Sequence, residues 1–134
     1  MDDRALARFL LRLTVGINLL VHGLVRVPRL SAFAAGMSRD FAPTFLPDAL
    51  VHVFALVVPF IEAAVGALIA VGLFQRAALV AASLVLMTLV FGTALLQRWD
   101  VLTQQMVYAF LYAALIATLG WDRWSLDELR ARRR

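Results

Sequence analysis

Residues 50–74 read LVHVFALVVPFIEAAVGALIAVGLF, an apolar run broken by one carboxylate, Glu62, one histidine, His52, and one proline, Pro59. A helix crosses the hydrocarbon core of a bilayer with about 20 mostly apolar residues, and this stretch meets that length. Three more such runs flank it. Residues 5–25 are interrupted by Arg12, Asn18 and His22. Residues 77–96 carry no charge, and residues 102–119 hold Gln104 and Gln105 near their start, then Tyr108 and Tyr112. Trp99 precedes the last run, and Trp121 and Trp124 follow it, as rings do at the two membrane interfaces. The reading is one all-α domain over 1–134, an integral membrane four-helix bundle.

Composition agrees. Hydrophobic residues make up 63% of the chain and charged residues 16%, against roughly 45–50% and ~25% in soluble domains. So little polar material cannot coat a water-soluble fold of this size. There is no cysteine, which excludes disulfides, zinc–thiolate sites and iron–sulfur ligation by this chain. All 13 basic residues are arginine. They are scattered at the ends of apolar runs rather than gathered in one stripe, so no nucleic-acid partner is expected. Ala32-Phe33-Ala34 resembles a signal-peptide cleavage site. Arg12 and His22 interrupt the preceding apolar region, and Asp2 and Asp3 dilute its positive start, so that helix is read as retained.

Four crossings put both termini on one side. That side holds Arg4, Arg8, Arg76, Arg123, Arg130, Arg132, Arg133 and Arg134, and the other holds Arg26, Arg29, Arg39 and Arg98. Eight against four favours cytoplasmic termini by the positive-inside rule. The two later links are short. The first, 26–49, contains Pro28, Pro43 and Pro47 and is expected to lie across the outer mouth as a loop or a lid, with one short interfacial helix near 31–37.

Ionisable groups inside such spans survive only beside partners. Glu62 is the most informative, about 18 Å from either end of its span at 1.5 Å per residue. Pro59, three residues earlier, removes a backbone donor and frees the carbonyl of Ala55. Thr14, Asn18 and His22 are spaced four apart and climb one side of the first helix. Gly16, Gly23 and Gly66 are read as packing positions that let helices approach closely. Tyr108 and Tyr112 form a similar stripe, and Tyr112 is placed to share a hydrogen bond with Glu62. Arg12, Asn18, His22, Glu62, Tyr108 and Tyr112 therefore form the expected polar core, with an Arg12–Glu62 ion pair inside it. Each has a plainer reading. The pair can simply fix helix register, His22 can be an ordinary hydrogen-bonded histidine, and the tyrosines can be packing. No metal site is expected, since His52 and Glu62 stand ten residues apart on one helix.

The sequence resembles the DoxX family of small bacterial membrane proteins. The resemblance rests on Leu11-Arg12-Leu13, Gly16, His22-Gly23 and Arg26 in the first run. It continues through Pro59, Glu62, Gly66, Gly72-Leu73-Phe74 and Arg76, and ends in Gly120-Trp121-Asp122-Arg123-Trp124-Ser125-Leu126-Asp127, where Asp122 replaces a glycine of the family pattern. The resemblance implies a polar core at Arg12, His22 and Glu62. It also implies kinship with a subunit of a thiosulfate:quinone oxidoreductase, with companions of other redox systems and, more distantly, with assembly chaperones and cargo receptors. Without cysteines this chain has no dithiol relay, so electrons would pass through quinone or a partner's cofactor.

Three functions follow as expectations. The first is an accessory or quinone-associated subunit of a membrane redox complex, with no covalent cofactor and a second membrane or redox protein as partner. The second is a non-catalytic assembly or binding module. The third is a small proton-coupled transporter, for which so short a chain would need to form a homo-oligomer.

Overall fold

The computed structural model describes residues 2–133, which form helices and turns with no strand among them. Arg134, counted above with the inner arginines, lies outside the described residues. The four long helices are α1 (Asp3–Leu24), α3 (Asp48–Val71), α4 (Gln75–Leu95) and α5 (Trp99–Ala117), with α2 (Leu30–Phe41) and α6 (Leu126–Ala131) as shorter ones. Each of the four is long and apolar enough to cross a membrane. Their outward faces carry large apolar side chains such as Leu84, Met87 and Phe110, the last 73% exposed. A water-soluble surface does not tolerate so continuous an apolar patch; this is a multi-pass membrane protein.

The ends of the helices follow from local chemistry. Asp2 caps α1, its carboxylate accepting from the Arg4 amide at 3.0 Å. The second span stops at Val71 rather than Phe74 because Gly72 takes a left-handed conformation, φ 73°. The Leu73 amide then bonds back to the Leu68 carbonyl at 2.9 Å, the usual closure of a glycine-terminated helix. Phe74 is also left-handed, φ 49°, a strained state for a residue with a side chain. Asp127 in the tail holds it there: its carboxylate accepts from the Phe74 and Gln75 amides, both at 2.9 Å. Asp127 thus caps α4 from 52 residues away. Asp127→Ala should cost about 1–2 kcal/mol, while Asp127→Asn, which can still cap, should keep most of it; thermal melting in detergent checks both.

α1 and α3 are the closest pair, lying antiparallel with glycine at the contacts. A Cβ on Gly16 would strike the Ala70 backbone, one on Gly23 the Pro59 carbonyl and Ala63, and one on Gly66 the backbone of Leu19 and Leu20. In the absence of a hydrophobic driving force between helices, such backbone approach is what membrane packing relies on. These three contacts also set the register. They place Glu62 beside Leu24, and the level of Arg12 beyond the last turn of α3. Asn18 therefore stands more than a turn from the level of Glu62. Because α3 runs Asp48–Val71, Glu62 sits close to its midpoint, displaced slightly toward the Val71 end.

α4 and α5 complete the bundle around Val15, Val65, Ile69, Leu79, Leu86 and Leu115. On α4, Ser83 and Thr88 return their hydroxyls to carbonyls one turn back, which satisfies them without a partner helix.

The first link is largely helical. The short helix expected near 31–37 extends over Leu30–Phe41 and packs on the outer turns of α3, with Ala34 fully buried. Asp40 pairs with Arg98 in the α4–α5 turn at 3.0 Å, tying α2 across the outer end. At the opposite end, Phe9 meets Trp124 edge-on at 5.5 Å, and the Arg4 guanidinium lies 5.5 Å over the Trp121 ring. The N-terminal segment and the tail therefore share one end of the bundle. Two arginines read from sequence as interfacial markers are not: Arg8 is 2% exposed, and Arg26 turns inward to an ion pair. Taking one from each side leaves seven against three.

Candidate functional site

Two polar clusters occupy the bundle. The first grows from the stripe on α1. Asn18, His22 and Arg26 stand one turn apart and face α3 and α5. Arg26 Nη1 donates to Glu62 Oε2 at 2.6 Å, and Glu62 itself is 3% exposed. Burial disfavours a bare carboxylate, and an opposed guanidinium compensates it. Arg26 Nη2 lies 2.8 Å from His22 Nε2. A guanidinium only donates, so Nε2 is the acceptor, and the neutral ring carries its proton on Nδ1. That nitrogen lies 3.8 Å from Glu62 Oε1. The Arg26 guanidinium also rests 4.8 Å over the Phe33 ring of α2, a cation–π contact that couples α2 to the ion pair.

Opposite them, Asn18 Nδ2 donates to Tyr108 Oη at 2.6 Å. This leaves the tyrosine's own proton free to donate elsewhere. Gln105 on α5 donates to Thr93 at 2.9 Å, while its buried Oε1 has no partner. These groups surround a chamber of about 270 Å³, lined by Asn18, His22, Arg26, Glu62, Tyr108 and Tyr112 among others. Asn18, His22 and Gln104 are exposed along the seam where α1 and α5 meet only sparsely. The chamber therefore opens sideways, toward lipid.

The second cluster closes the inner end. Arg12 is 2% exposed and donates to the Ile69 carbonyl at 2.9 Å, to the Ala70 carbonyl, and to the Trp124 carbonyl at 2.8 Å. A cation on the last carbonyls of α3 suits both their unmet acceptors and the helix dipole. Arg8 donates to Gln75 Oε1 at 2.6 Å and Thr118 Oγ1 at 2.9 Å, and lies 3.8 Å from Asp122. Gln75 donates in turn to Asp122. This cluster is closed and has the character of a clamp.

Of the six expected core residues, the structure gathers five around one chamber and puts Arg12 elsewhere. No Arg12–Glu62 pair forms, because the register sets them at different levels; Arg26 takes that place. The expected Tyr112–Glu62 hydrogen bond is also absent. Tyr112 packs on Tyr108, ring centroids 6.4 Å apart. His52 lies near Ser38 of α2, 3.4 Å away. Arg26 had a signal in the sequence, since it extends the 14–18–22 spacing by one more step. Arg8, Gln75 and Asp122 had none beyond their charge or polarity, because what joins them is the fold of the tail. Asp122, the departure from the family pattern, supplies the counter-ion for Arg8.

The family model for DoxX matches residues 7–98, a stretch that contains α1 through α4 with Arg26 and Glu62 but not the tyrosines of α5. No curated protein and no solved structure matches the chain.

Proposed function

This chain belongs to the DoxX family, and from that premise we propose that it is a quinone-associated accessory subunit of a membrane redox complex in the bacterial inner membrane, with cytoplasmic termini. The observation that supports this reading is the laterally open chamber with hydrogen-bond donors around a buried Arg26–Glu62 pair. A quinone head carries carbonyl acceptors and reaches its sites through lipid. The Tyr108 hydroxyl, the Asn18 amide and His22 Nδ1–H fit such acceptors. A quinone held there would supply two-electron chemistry, with electrons coming from a partner protein. The chain's own part is to bind and orient. His22 stands between the open seam and Glu62, with its Nδ1–H available to donate to a bound acceptor. Arg26 holds the Glu62 carboxylate in place.

The test is quinone content and titration on purified protein. Asn18→Leu and His22→Ala should each weaken binding about tenfold, the loss of one hydrogen bond in a desolvated site, with melting temperatures unchanged. Wild-type protein that neither carries nor binds quinone would overturn the reading. The exposed Asn18, His22 and Gln104 also favour a second reading, an assembly module whose partner helix covers that seam. Loss of a co-purifying protein in the same variants, without any quinone binding, would support it.

A further inference from the structure

A second chamber, about 560 Å³, lies beneath α2, between it, α3 and α4. Its walls are apolar: Phe33, Met37, Leu46, Phe54, Phe91 and their neighbours. The charged groups stand at its ends, and Thr88 and Thr93 of α4 are the polar residues of its wall, the Thr88 hydroxyl bonded back to its own helix. Arg26 stands at the inner end, and the Asp40–Arg98 ion pair at the outer mouth. Arg26, Leu89 and Val101 line both this chamber and the polar one. The two spaces therefore share a wall, with the guanidinium at the boundary between them. The volume is within the ~300–1,000 Å³ of ordinary ligand sites. The space beside Gly36 is open, since a Cβ there would meet nothing nearer than the tip of Arg39 at 4.0 Å.

We propose that this second chamber receives the aliphatic chain of the ligand whose head lies in the polar chamber, so that the site selects long-chain amphiphiles over compact polar solutes. The inference rests on the quinone reading above and adds the part of the molecule that reading leaves unassigned. The juxtaposition carries it: a small polar space and a larger apolar one meet at a single cation. A free solute has no use for the apolar half, and a lipid chain lying outside the protein has no need of it.

The experiment compares a tail-less benzoquinone with one bearing a long isoprenoid chain, each titrated into protein in nanodiscs. Partition into lipid raises the apparent affinity of the long-chain compound for any membrane protein, so the decisive comparison is between variants. Gly36→Leu, which adds a side chain at a position lining the chamber, should weaken the long-chain compound about tenfold, as expected for displacing two or more buried methylenes. It should leave the tail-less compound unchanged. Thr88→Phe, on the opposite wall, should do the same and guards against a local folding defect at Gly36. Unchanged long-chain affinity in both variants would overturn the proposal while leaving the quinone reading intact, and so would equal weakening of both compounds. If neither compound binds wild-type protein, the quinone reading fails and takes this inference with it.

Discussion

Arg12→Ala protein is expected to melt with a loss of about 3 kcal/mol, since one buried and two part-buried carbonyls lose their donor and each unmet buried acceptor costs about 1–3 kcal/mol. The affected carbonyls belong to Ile69, Ala70 and Trp124, so the end of α3 and the tail come loose together. Membrane insertion should not suffer. An arginine inside a span costs on the order of 2.5–3.5 kcal/mol on insertion scales, so the alanine variant enters the bilayer more easily. Abundance in the membrane is therefore the wrong readout, and melting in detergent the right one. Trypsin offers a second: cleavage at the tail arginines should accelerate in the variant. Arg12→Lys should rescue little, because one ammonium cannot reproduce a planar fork that spans two helix carbonyls and a third from the tail. A lysine variant as stable as wild type would show that charge alone, not the fork, holds this end.

Gly66→Val should be comparably damaging by a different route. A Cβ there meets the backbone of Leu19 and Leu20, and backbone has no rotamer with which to yield. Overpacking of this kind costs up to about 3 kcal/mol or somewhat more. The consequence reaches the site. Glu62 lies one turn from Gly66 on α3, and the 2.6 Å contact with Arg26 depends on α1 staying close. Gly66→Val should therefore lose melting temperature and, with it, the quinone binding proposed above. Gly120→Ala is the matched control, since nothing lies within 4 Å of a Cβ there, and it should change neither. Full retention of stability in Gly66→Val would mean that α1 and α3 do not pack as described.

The architecture was legible because hydropathy and length are local properties. Four apolar runs announce four spans whatever their mutual arrangement, and the ends were missed only by the few residues that capping decides. Phe74 is the instructive case: its side chain is apolar, but a distant carboxylate holds it in the turn. Pairing between helices was less legible, because it depends on register. The register between α1 and α3 decides whether Arg12 or Arg26 is the companion of Glu62, and no single-helix pattern encodes that register. The small residues came nearer to doing so. Gly16, Gly23 and Gly66 were legible as contact points, but matching them with Ala70, Ala63 and Leu20 requires both helices at once. The inner clamp was illegible for the same reason, since Arg8, Gln75 and Asp122 stand far apart along the chain.

That clamp bears on the order in which the protein is made. Residues 122–127 emerge from the ribosome only after all four spans have been synthesised, yet Arg8 and Arg12 in the first of them depend on Asp122 and Trp124, and the start of α4 depends on Asp127. During translation Arg8 can meet Gln75, and Arg12 the carbonyls of Ile69 and Ala70, before the fourth span is made. Asp122 and Trp124 join them only afterwards, so this end of the bundle closes in two stages.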